Sequence, residues 1–146
     1  MTGRTEVADL GIQLLVGAVF VVLMVVIHSA GLVGITRGLR LHLERSIPNE
    51  WGLRAAVLLG TYGVLLFALH FVEIFIFAAF YRWVGSVQSM EAALSYSASC
   101  YATLGGVNAR ITDEWRLVGA LEALIGFVLI GWSTAFMVRT LRRIVE

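Results

Sequence analysis

Three long apolar runs, about Leu10–Ile35, Ala55–Trp83 and Trp115–Val138, constrain this chain more than any motif does. A bilayer core of about 30 Å takes about 20 apolar residues per helical crossing, and each run is long enough. In hydrocarbon every main-chain polar group must be satisfied internally, so an all-α membrane protein follows. Of the 146 residues 59% are hydrophobic, and mean hydropathy is +0.86. That leaves room for about three or four spans and no second globular domain. The run from Leu10 is too long and unbroken for a removable leader and reads as a retained span.

All 11 basic residues are arginines, and the formal net charge is +1. Without a basic tail or interleaved arginines and aromatics, nucleic acid is not an expected partner. Arg37, Arg40, Arg45 and Arg54 cluster around the sole proline, Pro48, and Arg139, Arg142 and Arg143 follow the last apolar run. The positive-inside rule assigns both segments to the cytoplasm of an inner membrane, with the N-terminus and residues 84–114 outside. Trp83 and Trp115 are expected at the outer interface and Trp51 at the inner one. Residues 37–54 read as a loop with a short interfacial helix carrying Leu39, Leu43 and Ile47. Cys100 is the single cysteine, which excludes an intrachain disulfide and a cysteine-based zinc site.

Between the second and third runs lies Tyr96–Asn108, YSASCYATLGGVN, too short and too polar to cross a bilayer. A short helix is expected from about Ser89 to Ala102, leading into Thr103-Leu104-Gly105-Gly106-Val107. Irregular backbone at membrane depth is tolerated where protein buries it or where it lines a watery path. A helix C-terminus carries partial negative charge that favours a cation. Successive carbonyls beyond it can replace an ion's hydration shell, and Gly105 and Gly106 can take backbone angles closed to other residues. One chain supplies one strand of such a lining, so a ring needs several copies, most simply four. Read alone, the segment equally fits a hairpin packed between the spans.

Glu73 and Glu122 lie within apolar runs, about 15 Å and about 10 Å below their outer ends. A carboxylate at that depth faces protein or water. Both are expected to hydrogen-bond the short helix and brace the segment after it; simple interhelical polar contact is the plainer alternative. Neither resembles an acid–base pair with a substrate pocket, and an enzyme is not expected. His28 and His70 raise the question of a haem held between membrane histidines. Counted from the loop they share, they differ in depth by about 10 Å, too far for one haem within a chain. A haem between subunits stays open, and a His70–Glu73 hydrogen bond at i, i+3 is the simpler account. Gly119, Gly126, Gly131 and neighbouring small residues allow close helix packing.

The order of elements, a span, a short helix, Thr-X-Gly, Glu-Trp-Arg and a glycine-containing span, resembles the pore domain of potassium channels. YATLGGVNARITDEWRLVGALEALIGFVLIGWSTAF is similar to the motif run of small bacterial pore-domain proteins of the two-transmembrane ion channel family, and the likeness covers roughly residues 60–140. The resemblance implies three transmembrane helices plus a re-entrant pore helix and filter loop, assembled as a homotetramer in lipid. Residues 1–54 would form an added N-terminal helix and cytoplasmic loop, and 55–146 the pore domain. It implies an ion-binding filter at Thr103, Leu104, Gly105, Gly106 and Val107, supported by Glu73, Glu122 and Asn108. Val128, Gly131 and Ala135 would line the pore and Gly126 would serve as hinge. A monovalent cation, K+ foremost, is the expected permeant species, with no cofactor and no metal site. Potassium filters read Thr-Val-Gly-Tyr-Gly; here Gly106 stands in place of the Tyr, Val107 in place of the second Gly, and Asn108 in place of a following Asp. Val resists positive φ. The outer half of the filter is therefore expected to be wider or reshaped, and K+ selectivity does not follow from the resemblance. The alternative is a non-conducting scaffold or a subunit of a larger complex.

Overall fold

The structure, a computed structural model, describes residues 3–46, 51–105, 111 and 113–145. Those residues form four helices: α1 (Gly3–Ser46), α2 (Trp51–Trp83), α3 (Met90–Tyr101) and α4 (Arg116–Val145), the last entered through a 3-10 turn at Asp113–Trp115. Three are long and apolar enough to cross a membrane, over Leu10–Leu39, Ala56–Trp83 and Arg116–Thr140. Large apolar side chains such as Leu15, Val22, Val64 and Phe67 stand exposed along them. That surface suits lipid rather than water.

α1 corrects one expectation. Of the loop and interfacial helix expected over residues 37–54, 37–46 are instead the end of α1 and 51–54 the start of α2. The stretch Arg37–Ser46 is rich in Leu, Arg and Glu, all good helix formers, and meets no proline until Pro48. A residue before proline is pushed out of helical geometry. Ile47 and Pro48 fall outside the described residues, as does the side chain of Trp51.

α1 packs against α4 and α2, and α3 lies in the cleft between α2 and α4. Glycines set two of the close approaches. Gly17 faces Leu121 of α4 and Gly31 faces Leu69 of α2, each so near that a Cβ would collide with the leucine. Gln13 of α1 accepts a hydrogen bond from the N–H of Leu117 at 3.1 Å. It thereby caps one of the unpaired donors in the first turn of α4. The main core joins Met24, Phe77, Ala78, Tyr81, Tyr96, Val118, Ile125 and Leu129 across all four helices. A second cluster of Leu32, Tyr62 and Leu66, with Phe136 and Met137 against it, fastens the far end.

α3 is only 12 residues long, and both ends are fixed locally. Ser89 caps the start, its hydroxyl accepting from the N–H of Ala92 at 3.1 Å. At the other end Thr103 donates to the carbonyl of Cys100 and Leu104 to that of Ser99, each at 2.8 Å. Those two bonds define a Schellman turn. The residue that must turn left-handed in it is Thr103, at φ 61°, a position that favours glycine.

Candidate functional site

α3 runs back beside the helices that flank it. Moving towards its C-terminus, Tyr96 packs at Gly119, the Ser97 hydroxyl meets Glu122, and Tyr101 presses on Gly126. Along α2 the partners likewise descend, from Tyr81 through Ile74 to His70. His70 lies 13 residues inside Trp83 and Gly126 ten residues inside Arg116. These correspond to about 20 Å and about 15 Å of helix. The C-terminus of α3 therefore sits near the middle of the two spans.

Two buried carboxylates hold it there. Glu122 is fully buried and accepts from the Tyr81 hydroxyl at 2.7 Å and from the Ser97 hydroxyl. Glu73, also fully buried, accepts from the Tyr101 hydroxyl. Each carboxylate thus ties α3 to a spanning helix, Glu122 to α4 and Glu73 to α2. A buried charge is tolerable only with such partners, and charge-assisted hydrogen bonds are stronger than neutral ones.

Glu73 is also the centre of a second group. His28 Nδ1 lies 2.9 Å from Glu73 Oε1, and His70 Nδ1 lies 3.1 Å from Glu73 Oε2 and 2.8 Å from the Tyr101 hydroxyl. His28 Nε2 is 3.2 Å from Ser133 Oγ on α4. Its ring also faces Trp132, centroid to centroid 5.7 Å. All four helices therefore meet in one polar cluster inside an apolar protein.

The cluster overturns the depth separation assigned to the two histidines. Their rings lie 5.3 Å apart. The helical continuation of α1 is the reason. His28 lies 18 residues before the end of α1 and His70 lies 19 residues after the start of α2, so the two stand level. Counting from a long loop had placed them at different heights.

Of the expected filter, Thr103, Leu104 and Gly105 are exposed, with Gly105 also left-handed at φ 73°. Gly106, Val107 and Asn108 lie outside the described residues. Val128, Gly131 and Ala135 are exposed on α4. Gly126, expected as a hinge, is buried in an unbroken helix and gives room to the main chain of Tyr101. No family model, curated protein or solved structure matches the chain. The site must be read from its own geometry.

Sequence reasoning did not identify Tyr81 or Ser133 as partners. A hydroxyl within an apolar run was the available signal, but it does not tell which neighbour the side chain meets.

Proposed function

We propose that the chain is the pore subunit of a potassium-channel-like monovalent cation channel, with four copies around one axis. One observation carries the reading. α3 ends near the middle of the spans, and its terminal turn, Thr103 to Gly105, is exposed among the described residues. Irregular main chain at that depth is not stable against lipid, so other protein or a water-filled path must cover it. Further copies of the same chain supply both. The helix end brings partial negative charge to that place, and the carbonyls beyond it can coordinate a dehydrated cation. The exposure of Val128, Gly131 and Ala135 fits a face of α4 turned towards neighbouring copies. Orientation follows the arginines, with the α1–α2 connection and the C-terminal end of α4 on the cytoplasmic side.

The test is ion flux into liposomes holding the purified chain, measured in K+ and in Na+. Flux in either salt is expected. Gly106→Tyr combined with Val107→Gly should raise the preference for K+ over Na+. An unchanged preference would refute the filter assignment, and absence of flux in both salts would refute the channel. A second reading, a pore-shaped scaffold that does not conduct, is favoured by Gly106 and Val107 themselves, which replace the residues that shape a potassium filter.

A further inference from the structure

We infer that His28, His70 and Glu73 form a binding site for a divalent transition-metal ion, with Zn2+ as the matching species. The site goes beyond ion conduction and uses no residue of the proposed filter. Each of the three offers one ligand atom, and these atoms lie within 4.8 Å of one another. Ligands about 2.0–2.1 Å from Zn2+ in a tetrahedron stand about 3.3 Å apart. His28 Nδ1 lies 2.9 Å from Glu73 Oε1 and His70 Nδ1 3.1 Å from Glu73 Oε2, each close to that spacing but on different oxygens, so an ion would draw both imidazoles towards one of them. Two imidazoles and one carboxylate are the borderline N/O set that Zn2+ accepts, three protein ligands leaving a fourth position open. The Tyr101 hydroxyl lies 2.8 Å from His70 Nδ1, next to the ligand set.

The surroundings support a cation. No lysine or arginine occurs between Leu10 and Thr36 or between Ala55 and Tyr81, so neither α1 nor α2 brings a fixed positive charge to Glu73 at this depth. On α4 none occurs from Leu117 to Val138. Ser133 supplies the outer partner that a ligating histidine needs. An ion on His28 Nδ1 would take the place of the proton between that nitrogen and Glu73, leaving Nε2–H to donate to the Ser133 hydroxyl. His28 and Glu73 are fully buried while His70 keeps 16% exposure, which gives an ion a way in on one side. A bound ion would share the carboxylate that holds Tyr101, so its presence is felt at the C-terminus of α3.

The experiment uses the full chain in detergent micelles, stripped with a chelator and titrated with Co2+, a spectroscopic stand-in for Zn2+. Visible d–d bands should grow to one equivalent per chain and be displaced by Zn2+. His28→Gln and His70→Gln should abolish them, whereas His42→Gln, which removes the third histidine, should leave them unchanged. Ser133→Ala should weaken Co2+ binding about 10- to 100-fold, the range for loss of an outer-shell partner. Circular dichroism of each variant separates loss of binding from loss of fold, and His70→Gln is the safer variant because His70 is partly exposed. Absence of d–d bands in the folded parent chain, or bands that survive His70→Gln, would overturn the site and leave a metal-free hydrogen-bonded cluster. A chain that binds Co2+ but carries no ion flux would sink the channel reading alone, and one that conducts without binding Co2+ would sink this inference alone.

Discussion

Gly126 of α4 has no side chain at the place where Tyr101 of α3 comes closest: a Cβ there would stand 2.5 Å from the Tyr101 carbonyl oxygen and 3.0 Å from its Cα. Main chain cannot move aside as the tip of a side chain can. The depth to which α3 descends is thus set partly by the absence of one methyl group.

Gly126→Ala is therefore expected to destabilise the protein by about 1–3 kcal/mol, the cost typical of overpacking a fitted interior. Gly131, five residues on, has open space around it. Gly131→Ala should leave stability unchanged or raise it by up to about 1 kcal/mol, because alanine is the better helix former. Thermal unfolding in detergent micelles compares the two. Equal effects would mean that Tyr101 does not rest on α4.

Glu122 accepts from two hydroxyls, and the loss of each link has a different size. Tyr81→Phe removes one hydrogen bond to Glu122 and should cost about 0.5–1.5 kcal/mol. Glu122→Leu leaves the Tyr81 hydroxyl buried and unpaired and deprives Ser97 of one of its two acceptors. It should cost more than Tyr81→Phe, since each orphaned buried polar group adds about 1–3 kcal/mol. Glu122→Gln keeps an acceptor oxygen and should fall below Glu122→Leu. Denaturant titration of the three variants checks the order.

Thr103 is β-branched and left-handed, a combination that stores backbone strain. Thr103→Gly should remove that strain and raise stability by about 1 kcal/mol, because glycine is the preferred residue at this point of a Schellman turn. Thr103→Val keeps the branching and loses the hydroxyl, and should not stabilise. Melting temperatures in one detergent decide it; a lower value for Thr103→Gly would mean that the threonine side chain supports the turn.

In the proposed tetramer, copies of α4 would approach one another near Ala135. In a Cys100→Ser background, Ala135→Cys should cross-link under oxidising conditions into disulfide-bonded dimers, the limit for one thiol per chain. Val22 is also exposed, on the lipid side of α1 in this arrangement. Val22→Cys should give no disulfide-bonded dimer. Electrophoresis without reductant reads both outcomes.

The sequence by itself determined that three helices are long and apolar enough to span a membrane and that a short helix lies between the second and third. It placed that helix within a residue of Met90–Tyr101. These features are local: the length of an apolar run, a serine cap, glycines after a threonine. The short range of those signals is also why they did not reveal the end of α1, where good helix formers carry the helix past the last apolar residue. Tertiary structure alone decided that His28 and His70 stand level around Glu73, that Tyr81 and Ser97 share Glu122, and that Gly126 receives Tyr101. Each depends on the rotation of one helix about its axis relative to another. A hydrophobic run that is apolar on every side does not fix that rotation, so it emerges only when the few polar side chains find partners together.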